Sequence, residues 1–157
     1  ETSVFIQDEG GGDYSGIVVF IPSTFVDIQP GDVVTVIGDV SDYYGLAEIY
    51  VGDESGYGVT MGAGTPVGTE ITETPSDWEP YESALVRLTD LTAVTDMEYG
   101  SVLTDKGVYI DNLFYDFDGE KDSVFESVTG PLYYTSYDDI PNWLVEPRGA
   151  DDISYGE

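Results

Sequence analysis

The densest collection of groups able to do chemistry lies in residues 111–122, where Asp111, Asn112, Asp116, Asp118, Glu120 and Asp122 surround Gly119. Asp116, Asp118, Glu120 and Asp122 alternate along the chain, and Gly119 permits a tight turn that would gather their oxygens. Calcium takes about six to eight hard oxygen ligands at about 2.3–2.6 Å, so this stretch is a candidate calcium loop. It is not an EF-hand: the ligand spacing and closing Glu do not match, and the flanks read as strands. An ordinary solvated hairpin loop is the competing reading. A weaker candidate is Asp8 with Asp13, separated by Glu9 and three glycines, and its alternative is a plain loop. Asp138-Asp139 and Asp151-Asp152 are weaker again.

Paired carboxylates can run glycoside hydrolysis, one as acid and one as nucleophile or base. Here 32 acidic side chains among 157 residues make such pairs arise by chance, and nothing else marks a cleft. With neither His nor Cys, thiol nucleophiles, zinc fingers, disulfides and Ser-His-Asp or Cys-His relays are excluded. A hydrolase would depend on metal-activated water held by carboxylates alone. The expectation is a protein without enzymatic activity.

Aromatic residues offer a different chemistry. Tyr43, Tyr44, Tyr133, Tyr134, Tyr137 and Trp143 sit on or beside predicted strands, where rings can stack on sugars or bases. The alternative is that they pack the outside of the fold or a seam between two units. The formal charge of -28, with 4 cations, opposes binding to nucleic acid but not to a neutral glycan. Arg87, Lys106, Lys121 and Arg148 lie amid so many acids that each is expected to be paired, Arg87 and Arg148 as structural anchors.

The elements that must carry these groups read as strands. Hydrophobic residues make up 41% of the chain, enough for a packed core, and Tyr, Val and Thr with frequent Gly favour strands and turns. Strands are expected at about 2–7, 16–21, 32–40, 45–51 and 57–61, then at 83–95, 99–104, 107–115, 124–135 and 142–146. Weak helix signals fall at 22–28 and 76–82. No apolar run approaches the roughly 20 residues that span a bilayer, and no signal peptide is read at the start, so membrane insertion is not expected. So large a negative charge is tolerable at high ionic strength or in calcium-bearing extracellular fluid, and an extracellular or cell-surface location is expected.

The two series of strands resemble each other. Val33–Val40 aligns with Phe125–Leu132, each with a Gly (Gly38, Gly130) two residues after a Val. Ile17 precedes Gly38 by 21 residues and Val108 precedes Gly130 by 22, which argues for duplication. A glycine inside a β-branched strand marks a bulge or bend of the kind that turns a barrel corner. The expected fold is therefore all-β, as two tandem OB-like five-stranded Greek-key barrels, with a two-sheet sandwich as the alternative. Residues 1–62 form the first unit, 63–80 a linker, 81–153 the second unit and 154–157 a tail.

The second unit opens with a long strand, Ala84–Val94, that has no counterpart in the first. The first barrel then has an open trench flanked by Val4, Phe5, Ile6, Val18, Val33, Val34 and Val36. Unpaired strand edges beside exposed apolar side chains need a partner. Upstream residues, the acidic tail Asp151–Glu157 or a strand from another molecule could each provide it.

The segments VFIQDEGGGDYSGIVVF, IQPGDVVTVIGDVSDYYGLAEI, YESALVRLTDLTAV and VTGPLYYTSYDDIPNWLVEPRGADDI resemble tandem OB-fold modules of secreted bacterial proteins. Such modules accompany extracellular nucleases of the endonuclease/exonuclease/phosphatase type and occur in acidic cell-surface proteins. The likeness runs over about residues 4–50 and 79–153 and departs from the pattern at the absent first strand. In that family the chemistry belongs to a separate nuclease domain, which does not fit here. The resulting expectation is a secreted structural or adhesive protein that self-associates by strand complementation into a filament or surface layer. The alternative is an accessory module, binding glycan or nucleic acid, of a larger secreted nuclease or hydrolase. Calcium that merely stabilises the fold is a third expectation.

Overall fold

A computed structural model of residues 1–157 describes the chain except for Glu54, Ser55 and residues 137–141. The chain is nearly all β. In the first half, strands run over Thr2–Gln7 (β1), Gly16–Ile21 (β2), Val33–Val36 (β3), Asp39–Tyr43 (β4), Leu46–Tyr50 (β5) and Tyr57–Thr60 (β6). In the second they run over Thr69–Ile71 (β7), Leu85–Thr92 (β8), Val102–Leu103 (β9), Tyr109–Ile110 (β10), Val124–Thr135 (β11), Asn142–Val145 (β12) and Ile153–Tyr155 (β13).

The first sheet has the order β1-β2-β5-β4, with β2 and β5 parallel and the other two pairs antiparallel. β2 reads as an unbroken apolar run because it lies between two neighbours and is covered on its inner face. β4 and β5 are joined by the two residues Tyr44-Gly45, both at positive φ (52° and 91°), the turn that suits the right-handed twist of a hairpin. β3 pairs antiparallel with β6 as a separate two-stranded sheet.

The larger sheet runs β7-β8-β11-β12-β10-β9, and β13 also pairs with β11. Its ladders are antiparallel except for β7 with β8 and β10 with β12. β9 returns to the end of β8 through the Ala93–Thr104 bridge and the bond from the Val94 N–H to the Leu103 carbonyl, 2.7 Å. That contact is a bridge rather than a ladder, because β9 and β10 are too short to extend it. The sheets are therefore not closed barrels, contrary to the sequence expectation.

The two halves share a strand order. β9-β10-β12-β11 repeats β1-β2-β5-β4 with the same sequence of antiparallel, parallel and antiparallel pairings. The bend is conserved between them as well. A Cβ on Gly130 would overlap the carbonyl of Glu146, and a Cβ on Gly38 would overlap that of Tyr50. These glycines thus let β11, and the β3–β4 pair, pass close against the next strand. What the first half lacks among the described residues is a counterpart to β8.

The cores follow from this difference. In the second half Leu88, Leu91, Val102, Ile110, Phe125 and Leu132 are fully buried in one large cluster. In the first, Val19, Ile21 and Val51 alone form the buried cluster among the described residues, with Val4, Ile6, Val36 and Ile49 half-buried around them.

Several boundaries differ from expectation. The 32–40 strand is divided at Gly38 into β3 and β4. Residues 22–28 form no helix; they lie along β1, where the Thr2 hydroxyl donates to the Thr24 carbonyl and accepts from the Val26 N–H. The 76–82 signal yields a single 3-10 turn at Glu79–Tyr81, opened by Pro80. The expected linker 63–80 contributes β7. The expected tail is β13, tied down by Tyr155, whose ring lies 5.4 Å from that of Phe125 and whose hydroxyl donates to the Asp118 carbonyl. The tail therefore completes the second half, and Asp151 and Asp152 just before it share a shallow surface pocket with Pro30 of the first.

Replacing Gly130 by Ala forces a methyl group into the β11–β12 crossing and is expected to destabilise the chain by about 1–3 kcal/mol in urea unfolding. Gly58→Ala, in β6 where nothing lies near the added carbon, is expected to leave stability unchanged or slightly raised.

Candidate functional site

Three groups of side chains stand out: the acidic loops, the aromatic seam between the two halves, and a buried carboxyl pair beside that seam. Among the described residues, no three carboxylates converge as a metal-binding group. The Asp116 carboxylate accepts from the Asn112 amide at 2.8 Å, and Glu120 and Ser123 bond each other across a turn. The Lys121 N–H donates to the Asp96 carboxylate, and Asp122 sits at positive φ with its N–H on the Ala93 carbonyl. Phe117, buried between Asp116 and Asp118, pins the loop to the core with its ring edge-on to Phe125. The loop's hydrogen bonds are thus directed into the protein itself.

The Asp8–Asp13 loop is likewise used for docking. Its Gly12 N–H donates to the Thr69 hydroxyl at 2.7 Å, and Gly11, at φ 66°, packs so closely on the Val67 carbonyl that a Cβ would lie 2.8 Å from it. Asp138, Asp139 and Tyr137 lie outside the described residues. Of the cations, Arg148 forms a two-pronged pair with Asp152, Arg87 faces Glu70 at 3.6 Å, and Lys106 donates to the Thr72 carbonyl.

The other aromatic residues singled out from sequence come together. The Tyr43 and Tyr44 rings meet edge-to-face at 4.9 Å, and those of Tyr134 and Trp143 at 4.7 Å. The β4–β5 turn bridges the two pairs: Gly45 abuts the Tyr134 ring, and Ser136 donates to the Tyr44 carbonyl. Tyr133 packs edge-on against Phe5, which also meets Phe114. This corrects the placing of Phe5 in the open trench. Alternation along β1 turns Val4 and Ile6 to the small core and sends Phe5 to the opposite face, onto the second half. Tyr43 and Tyr44 remain 55% and 73% exposed, so the seam presents free ring surface.

Polar bonds fix the same seam. The Gln7 side chain accepts from the Leu85 N–H and donates to the Val67 carbonyl, both at 2.9 Å. The Glu82 carboxylate accepts from the Ala47 N–H; burial and the nearby Glu79 and Asp42 raise its pKa, while that bond opposes the rise.

Of the remaining trench residues, Val18 is buried, Val34 and Val36 are half-buried and Val33 is exposed. Among the described residues β3 pairs with β6 alone, whereas the corresponding part of β11 pairs with both β8 and β13.

Glu146 escaped the sequence reading. It follows β12 directly and is fully buried, with one carboxyl oxygen accepting from the Leu113 N–H at 3.2 Å and the other without a partner. Its carboxyl lies close to that of Asp111, which accepts from the Ser101 hydroxyl. Burial, followed by the charge of Asp111, pushes the Glu146 pKa up to about 8. In the first half, Phe20 and Tyr50 occupy the matching positions and simply pack, ring centroids 6.0 Å apart. The available signal was a Glu in register with Tyr50 at the end of an apolar strand.

Compared with protein-family models, curated proteins and solved structures, the chain has no match.

Glu146 ionises near 4.5 when unfolded and near 8 when folded. Between those values the folded chain holds the additional proton. The stabilisation is fully present below the lower pKa and is lost as pH rises toward the upper one. Urea midpoints of wild type and Glu146→Gln should therefore coincide near pH 4 and separate in favour of the variant toward pH 9. Parallel curves would show that this carboxyl is not the titrating group.

Proposed function

We propose that this chain is a non-enzymatic, extracellular structural protein of two OB-like units that joins its neighbours by β-strand complementation at the first unit. β8 to β12 follow one another as the five strands of an OB-type Greek key, with one parallel pair (β10 with β12) and a partly open closure between β8 and β9. The first unit repeats that order without its opening strand. The observation that carries the reading is the side of β3 that, among the described residues, has no strand paired to it, beside a buried cluster of three residues. An edge of this kind is a ready template for a further strand, and strand addition running head to tail generates a polymer. The acid-rich composition, tolerable at high ionic strength or in calcium-bearing fluid, supports an extracellular setting.

A second reading, a glycan-binding accessory module of a larger secreted protein, is supported by the convergence of Tyr43, Tyr44, Tyr134 and Trp143 on one seam. Free ring faces suit uncharged sugars, and the charge of -28 opposes nucleic acid.

The two readings separate experimentally. Light scattering and electron microscopy of the secreted protein at neutral pH should reveal concentration-dependent linear assemblies, with the β1 and β3 amides that point away from β2 and β6 protected from hydrogen exchange only in the assembled form. A monomer whose β3 amides are as protected as those of β11 would reject the structural reading. For the second, retardation in gels containing a neutral polysaccharide should be lost in Tyr44→Ala; equal mobility with and without polysaccharide would reject it.

A further inference from the structure

We infer that the partner at the first unit is an extended segment of another protein molecule that runs antiparallel to β3 and β4 and presents aliphatic side chains inward, as β8 does. Its outward positions carry cationic or uncharged residues. This rests on the reading of the first unit as a strand acceptor and adds the orientation, register and chemistry of what it accepts.

The second unit contains the template. β8 lies antiparallel to β11, from Val124 opposite Thr92 to Pro131 opposite Leu85. The residues leading into β8 continue the pairing: the Leu132 N–H donates to the Ala84 carbonyl at 2.9 Å, and the Ser83 N–H to the Leu132 carbonyl at 2.7 Å. Leu132 is consequently 0% exposed. Val40 holds the same place in the first unit, two residues after the bend glycine and opposite Ile49 as Leu132 is opposite Val145. It is 78% exposed. Ile37, just before the bend, is also exposed. An aliphatic pair left in water beside an edge unpaired among the described residues is what removal of a β8-like strand and its lead-in would leave behind.

The inner face of the incoming strand is set by what it would meet. Leu85, Val86, Leu88 and Leu91 are the buried residues of β8. In the first unit, Val4, Ile6 and Val36 are half-buried around Val19, Ile21 and Val51, and aliphatic side chains would complete their cover. The outer face is set by charge. No Lys or Arg precedes Arg87 in the chain, so the first unit carries acids without a single compensating cation. In β8 the outward Arg87 faces Glu70. A donor with Lys or Arg outward gains from the acidic surroundings, whereas an acidic donor is repelled.

The test uses the chain of residues 1–157 and a synthetic peptide with the sequence of Ala84–Val94, read by fluorescence anisotropy and by amide NMR. Saturable binding is expected, weakened at least tenfold in Val40→Glu, a variant whose side chain already stands in water and which leaves the circular dichroism of the free chain unchanged. A peptide with its inward and outward residues exchanged should bind at least tenfold more weakly as well. A paramagnetic tag on the peptide N-terminus should broaden Val40 and Tyr43 rather than Val33. Absence of saturable binding, equal affinity for Val40→Glu, or broadening at Val33 would overturn the inference. Peptide binding without assembly of the secreted protein would leave this site standing and remove the polymer reading. Assembly that persists in excess peptide would place the joint elsewhere and overturn the assignment of this surface.

Discussion

A strand can serve two sheets only if it bends where its backbone touches the next strand, and that contact leaves no room for a side chain. Gly130 against the Glu146 carbonyl meets this requirement in the second half, and Gly38 against the Tyr50 carbonyl meets it in the first. On one side of its bend β11 pairs with β8 and β13, and on the other with β12. The same division separates β3, bound to β6, from β4, bound to β5. Once the bends are equivalent, the positions of the remaining strands follow, and the absence of a β8 counterpart among the described residues becomes a statement about one specific edge.

Most of this was legible in sequence because the signals are backbone signals. A glycine within a β-branched run, repeated with nearly equal spacing after a second apolar run, has few structural meanings, and β1, β2, β5, β6, β11 and β12 fall where alternation and turn residues placed them. Elements of three residues were not legible. β7 and β13 carry too little alternation to stand out, and each owes its existence to a neighbour already in place: β8 for Thr69–Ile71, and β11 for Ile153–Tyr155. The direction of Phe5 was lost for a related reason. Period-two patterning separates two faces of a strand but does not say which face meets a second unit. Acids alternating along 116–122 look alike in sequence whether they converge or, as with the Asp116 carboxylate on the Asn112 amide, bond back to a neighbour. Glu146 was hidden by its type, since a carboxyl in a core is foreign to a hydrophobicity reading.

The seam couples the halves through a small number of residues with double duties. Gln7 ends β1 and bonds both Leu85, at the start of β8, and the Val67 carbonyl just ahead of β7. Glu82 accepts from Ala47 while standing next to the segment that leads into β8. Phe5, one face of which belongs to the first sheet, rests on Tyr133 and Phe114. These bonds lie at exposed or half-buried positions, and each ties a residue of the first half to one of the second in a fixed direction. Relative orientation of the halves is therefore held by directional bonds as well as by rings.

The distribution of cations has a consequence for how bare edges avoid each other. Sheet borders exposed to water tend to zip together with their own duplicates, the first step toward disordered clumping. In this molecule the border in question belongs to a half that holds no positive side chain at all. Two copies meeting border to border would press like charges together in a medium that screens them over about 10 Å at 0.1 M salt. Contact of one such border with its own duplicate thus costs most in dilute salt and least in concentrated salt, a cost that an uncharged or cationic segment does not meet.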